Sequence, residues 1–302
     1  MREFKITHST RYRYSMPVAF SRHAAYFRPL ENPRQRLLSY SHTIAPQTTE
    51  EFERRDYFGN CQLQFQIESL HSELSAEVRS HVAVEAQPAI ADVTAGITCG
   101  ELRKSLRTNT DKASLLAVQM SSNGAKTYSN GAVEKFARKF FPDGRPFLEA
   151  ALELNATIFN EFQFDNDATD VSTPVDEVLR LRSGVCQDFA HLMLASIRSL
   201  RLPARYVSGY ILTHPPEGEP RLQGADATHA WVSIFDRELG WVDLDPTNNL
   251  VCADEHIVVA TGRDFADVSP LRGAVTGGGT QEIEIAVTVM PVEEISPVAA
   301  MT

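Results

Sequence analysis

No stretch of this 302-residue chain approaches the roughly 18 consecutive apolar residues of a membrane-crossing helix, so no membrane span is expected. The opening Met1-Arg2-Glu3-Phe4-Lys5-Ile6-Thr7-His8 likewise lacks the apolar core of a signal peptide. Positive charge is scarce: 29 Lys and Arg stand against 39 Asp and Glu, a net charge of −10 that argues against a nucleic-acid partner. The four cysteines, Cys61, Cys99, Cys186 and Cys252, form no CxxC pair and no framework spacing, which excludes a disulfide scaffold. The triplet Gly277-Gly278-Gly279 has neither the spacing nor the following helix of a phosphate loop. These absences fit a reduced, cytoplasmic setting, where a reactive thiol stays free.

What is present is a chain long enough for about two domains, with 43% hydrophobic residues to build their cores. Residues 1–88 carry strand alternation, as in Gln62-Leu63-Gln64-Phe65-Gln66-Ile67 and His81-Val82-Ala83-Val84. That pattern predicts a β-sandwich-like N-terminal domain. Residues 89–145 break at Gly96, Gly124 and Gly131 and read as a connecting helical segment. Residues 146–292 begin with helices over 146–162, 174–181 and 186–202, the last stopped by Pro203. Strands follow over 204–212, 227–235 and 241–244, with a final strand over 282–289. Helices first and antiparallel strands afterwards give an α+β core, and residues 293–302 form a loose tail.

Three residues in that core have the chemistry of a thiol nucleophile and its supports. Cys186 follows Ser183-Gly184 and opens an apolar helix whose Phe189, Leu192, Met193, Ile197 and Leu200 form one stripe. A thiol attacks only as thiolate, and a helix N-terminus and an adjacent imidazolium both favour that anion. The free N–H groups of the same turn, that of Cys186 included, supply part of an oxyanion hole, with Gln187 a weaker candidate for a second donor. His229 lies on a strand with Trp231 and Ser233 on its face, and Ala230, Val232 and Ile234 on the other. The next strand ends in Asp243-Leu244-Asp245, so a hairpin brings a carboxylate near the imidazole to fix its tautomer. Trp231 and Trp241 flank these positions and are candidates for the substrate cleft. The set Cys186, Asp188 and His191 lacks the spacing of a zinc site, and Asp165-Asn166-Asp167-Ala168-Thr169-Asp170 lacks the glycine and distal glutamate of a calcium loop. No metal and no cofactor is therefore expected.

Several phrases together resemble the bacterial transglutaminase-like superfamily. They are Arg182-Ser183-Gly184-Val185-Cys186-Gln187-Asp188, Ala204-Arg205-Tyr206-Val207-Ser208-Gly209-Tyr210, His229-Ala230-Trp231 and Asp245-Pro246-Thr247. Tyr12-Arg13-Tyr14 and Asp56-Tyr57-Phe58-Gly59-Asn60 are similar to that family's β-rich N-terminal domain, and 262–273 to its C-terminal extension. The resemblance implies a papain-like fold of helices packed on an antiparallel sheet. It also implies Cys186 as nucleophile, His229 as base, and Asp245 rather than Asp243 as the orienting carboxylate. The expected activity is acyl transfer on a protein or peptide amide through a thioester. Two alternatives stand beside it: a cysteine peptidase or amidase that uses the same triad with water as acceptor, and a non-catalytic module that grips a peptide in the cleft. Neither the substrate nor the oligomeric state is legible.

Overall fold

The computed structural model describes residues 1–87, 90, 92–213 and 228–294. Five N-terminal strands, β1 (Arg2–Ala25), β2 (Gln35–Ala45), β3 (Glu50–Arg55), β4 (Cys61–Ile67) and β5 (His71–Val84), lie in the order β2-β5-β1-β4-β3. The alternation of β1 buries Phe4, Ile6, His8 and Thr10 on one face of its first half. This 24-residue strand shifts register between Arg13 and Val18, and its two halves have different partners. The sheet folds over on itself around Val18, Phe27, Phe65, Ile67, Leu74 and Val78. A sandwich-like body is thereby made from one continuous sheet.

Four helices follow: α1 (Cys99–Thr108), α2 (Lys112–Gln119), α3 (Ala132–Ala137) and α4 (Phe147–Glu161). Thr98 and Glu101 close α1 with a capping box, and Asp111 caps α2. Cys99, Leu102, Leu106, Ala117, Val133 and Phe140 enter the same core as α4. The segment expected to be a helical connection is helical over these stretches and shares that core.

The chain then forms β6 (Gln163–Phe164), α5 (Val175–Leu181), β7 (Ser183–Gly184), α6 (Cys186–Ser199) and β8 (Ala204–Ile211). After it come β9 (Thr228–Asp236), β10 (Gly240–Asp245), β11 (Leu250–Val251), β12 (His256–Gly262) and the short α7 (Phe265–Val268). The second sheet is antiparallel, in the order β11-β10-β9-β8-β12. Helix α6 lies against it, sharing a core in which Phe189, Ala190, Met193 and Ile197 meet Ala230, Val232 and Ile234. Helices on an antiparallel sheet behind a strand-rich N-terminal region are the α+β, papain-like arrangement expected.

The last strands depart from expectation. β13 (Leu271–Gly277) and β14 (Gln281–Pro291) leave the core and pair with β1, from Phe4↔Pro291 to Tyr14↔Gln281 in the case of β14. The C-terminal strand therefore belongs to the N-terminal sheet, because the first half of β1 has an open edge opposite β5. Residues 295–302, most of the expected loose tail, lie outside the described residues, as do 88 and 89 at the expected domain boundary. Among the described residues no helix is long and apolar enough to cross a membrane.

Candidate active site

The turn that presents Cys186 is built locally. Arg182 ends α5 in the left-handed region (φ 54°), and β7 pairs in parallel with β6. Asp188 reaches back so that its Oδ2 accepts from the Val185 N–H at 2.9 Å, and it also accepts from Thr169 Oγ1 at 2.6 Å. Glycine is required at 184: a Cβ there would stand 2.7 Å from Asp188 Oδ2. Burial pushes the Asp188 carboxyl up, against the hydrogen bonds from Thr169 and Val185. Cys186 is thus the first residue of a 14-residue helix, half-buried, with the free N–H groups of that turn around it.

The second half of the site comes from the β9–β10 hairpin. Its register pairs Gly240 with Asp236 and Leu244 with Val232, which sets Asp245 diagonally across from His229. His229 Nε2 donates to Asp245 Oδ2 at 2.8 Å. A carboxylate only accepts, so Nε2 carries the hydrogen and Nδ1 is the nitrogen left for the Cys186 thiol. Burial opposes a charge on His229, but hydrogen bonds with Asp245 and Cys186, and then their charges, overcome it and push the imidazole up to about 10. Burial also works against the Asp245 carboxylate. Hydrogen bonds from His229, His256 and Asn248 and the His229 charge hold it well below the usual carboxylate range. The site favours a buried imidazolium beside the Asp245 carboxylate.

Asp245 is fully buried and has five donors: His229 Nε2, His256 Nε2 at 3.1 Å and Asn248 Nδ2 at 2.7 Å on Oδ2, and the Thr247 and Asn248 N–H groups on Oδ1. One ligand atom from each of His229, Asp245 and His256 lies within 4.8 Å of the others, a spacing open to a metal ion. In this structure both imidazoles instead spend Nε2 as donors to the Asp245 carboxylate. His256 and Asn248 escaped the sequence reading. The one available signal was a single histidine opening the apolar run Ile257-Val258-Val259-Ala260.

Two cleft candidates are corrected. Trp231 is fully buried, its ring stacked on His229 with centroids 6.1 Å apart and edge-on to His256 at 5.2 Å. It supports the imidazole from the core because its face of β9 is covered by Val207, Val258 and Leu30. Trp241 pairs with Phe235 at the far end of the hairpin, roughly 20 Å from His229 by strand rise, and stacks under the Arg205 guanidinium at 4.2 Å. Gln187 is half-buried beside Cys186 in the first turn of α6. Asp243 pairs with Arg34 at 3.6 Å and takes no part in the histidine contact. His191 is an interior residue: its Nε2 accepts from the Phe265 N–H at 3.1 Å, and burial, with the Lys126 and Arg198 charges, pushes it down to about 3. Cys99 and Cys252 are buried in the cores, and all four thiols are free.

A thiol at a helix N-terminus facing a histidine–aspartate pair on an antiparallel sheet defines the papain-like class of cysteine proteins. Residues 134–246 match the transglutaminase-like superfamily, and residues 4–83 match the bacterial transglutaminase-like N-terminal region. An uncharacterized protein of Mycobacterium tuberculosis is 35% identical over 295 residues, covering 96% of this chain and 93% of its own length. The chain belongs to the transglutaminase-like superfamily. A protein-glutamine gamma-glutamyltransferase of Pseudomonas aeruginosa is 36% identical over 81 residues, only 26% of this chain and 12% of that protein. The crystal structure of a Cytophaga hutchinsonii protein described as a candidate cysteine protease superposes with a TM-score of 0.74 at 20% identity, covering 96% of this chain and 91% of that one.

Proposed function

We propose that this protein is a cysteine-dependent acyl-transfer enzyme acting on a protein or peptide amide. The observation that carries this reading is the buried His229, bound through Nε2 to Asp245 at 2.8 Å, with its other nitrogen left to Cys186. The Cys186 thiolate adds to the carbonyl carbon, and the negative oxygen is met by N–H groups of the first turn of α6. His229 then gives its Nδ1 proton to the departing nitrogen as the C–N bond breaks, leaving a thioester on Cys186. An amine or a water attacks that thioester, gives its proton back to His229 and frees the thiol. Asp245 remains ionised throughout and holds the imidazole in one orientation.

The test is incubation with casein, whose glutamines offer carboxamides, and a fluorescent primary amine, with Cys186→Ala as control. Fluorescent casein marks an amine acceptor; new free carboxylates without fluorescence mark water and the hydrolytic reading. Either product requires Cys186. Turnover that survives Cys186→Ala would refute the assignment, as would a wild-type Cys186 that labels with iodoacetamide at pH 5.5 no faster than Cys61.

A further inference from the structure

Asp245 receives two imidazoles, and the triad accounts for only one. His256 opens β12 with its side chain 4% exposed, and its Nε2 meets the same Oδ2 as His229. The carboxylate only accepts, so His256 is held as the Nε2–H tautomer. Among the described residues its Nδ1 is buried without a partner, and its ring packs against those of Trp231 and His229. Among the described residues its one hydrogen bond is to the carboxylate that orients His229.

β12 is itself gripped from the N-terminal domain. Gln35 acts as a two-point amide clamp on Val258, donating to its carbonyl at 2.7 Å and accepting from its N–H at 2.8 Å. Asn60 does the same at Thr261, at 2.8 Å in both directions. Both amides are buried, and both stand in for a missing neighbouring strand along the outer edge of the second sheet. The clamps flank the register shift of β12 between Val258 and Ala260. Asn60 is presented by the turn in which Asp56 accepts from the Phe58 and Asn60 N–H groups. His256 also lines, with Arg34, Gln35 and Asp243, a polar pocket of about 10 Å³, which places the Arg34–Asp243 pair beside the same histidine.

We propose that His256 is a positioning residue for the His229–Asp245 pair, and that the N-terminal β-domain sets it in place by clamping β12 through Gln35 and Asn60. This rests on the acyl-transfer reading for its consequence in catalysis, though not for the geometry. A third hydrogen bond on Oδ2 keeps the carboxylate ionised and stops it rotating away from His229. A buried N–H on an anion is worth more than one between neutral groups. The N-terminal domain is then part of the catalytic apparatus.

Two measurements test this. In wild-type protein labelled with ¹⁵N-histidine, the long-range ¹H–¹⁵N pattern of His256 is expected to be that of the Nε2–H form; an Nδ1–H form would overturn the proposal whatever the activity. The second is the Cys186 alkylation rate at pH 5.5, normalised to folded protein. His256→Ala is expected to lower it roughly tenfold, the order set by one charge-assisted hydrogen bond. His256→Gln, which keeps a donor at the same reach, is expected to stay within about threefold of wild type on the same scale. Gln35→Leu is expected to lower it in the same direction with His256 intact. His256→Ala labelling at the wild-type rate would refute the positioning role, and Gln35→Leu doing so would refute the domain clamp. If His256→Ala does not fold, the wild-type tautomer and the Gln35→Leu rate decide. An unreactive wild-type Cys186 would defeat the acyl-transfer reading alone, since the tautomer would still be measured.

Discussion

Asp245→Asn is isosteric and removes one charge, so its consequences can be worked through donor by donor. Five N–H groups converge on the carboxylate: three on Oδ2 at 2.7, 2.8 and 3.1 Å, and two backbone groups on Oδ1 at 2.9 and 3.2 Å. An amide has one oxygen. If it faces His229, His256 and Asn248, its NH₂ confronts the Thr247 and Asn248 N–H groups; if it is flipped, the NH₂ confronts the three side chains. At least two buried donors lose their acceptor either way, at about 1–3 kcal/mol each, so the variant is expected to lose about 2–6 kcal/mol of stability. The chemistry suffers separately. Without the Asp245 charge and hydrogen bond, His229 loses the largest support for its charge against burial. An ordinary thiol is ionised to only about one part in a thousand at pH 5.5, so labelling of Cys186 there is expected to fall by roughly two orders of magnitude. Iodoacetamide labelling with peptide mapping reads this directly. Cys61 and Cys99 serve as internal references, since burial pushes both thiols up to about 11 and leaves them silent at that pH. Labelling of Cys186 in folded Asp245→Asn within twofold of wild type would refute the reasoning.

Two further outcomes follow from the same geometry. Because the His229 imidazole is held up to about 10 in the folded protein against about 6.5 unfolded, its contribution to stability is complete below about pH 6.5 and is lost as pH rises towards 10; melting temperatures are therefore expected to fall between pH 7 and 10 more steeply in wild type than in His229→Gln, and parallel curves would contradict this. Gly209 faces His229 across the β8–β9 ladder, and a Cβ there would overlap the Ile257 carbonyl and the Trp231 ring that underlies His229; Gly209→Ala is expected to cost about 1–3 kcal/mol in urea unfolding and to slow Cys186 labelling, whereas an unchanged midpoint would show that Trp231 yields freely.

The parts of the site legible in the sequence are those fixed by short-range rules. Helical spacing after Ser183-Gly184 is enough to put Cys186 in a first turn, and the strand period is enough to put His229 and Ala230 on opposite faces. A short turn between β9 and β10 then limits where Asp245 can lie. The features that eluded the sequence depend on pairings without local register. β14 gives the same alternation whether it joins the core sheet or β1, and only the open edge of β1, nearly 280 residues earlier, decides between them. His256 reads as one polar residue on an apolar strand until β12 is placed two strands from β9. Trp241 looked adjacent to Asp245 because four residues are few in sequence, although in an extended strand they span roughly 13 Å. Trp231 has the right face and the wrong environment: alternation predicts its side of the sheet, but not that the N-terminal domain covers that side through Leu30.

The arrangement of Cys186, His229 and Asp245 rests on two packing relations. The His229–Asp245 distance follows from the β9–β10 register, which the Val242↔Ile234 and Leu244↔Val232 pairs lock by burying apolar side chains together. The Cys186–His229 approach has no such local determinant. It depends on how deeply α6 seats against β9, through Phe189, Ala190 and Met193 on one side and Ala230 and Val232 on the other. Close-packed interiors transmit small volume changes as shifts of whole elements. Substitutions on the helix side of that layer, at Phe189, Ala190 or Met193, therefore act on the thiol–imidazole contact before the imidazole–carboxylate contact. Substitutions around β12 do the reverse, because Gln35 and Asn60 grip the strand that brings His256 to Asp245. On the proposed reading, Cys186 and His229 come from the transglutaminase-like core, and the N-terminal strands reach Asp245 by clamping β12 through Gln35 and Asn60.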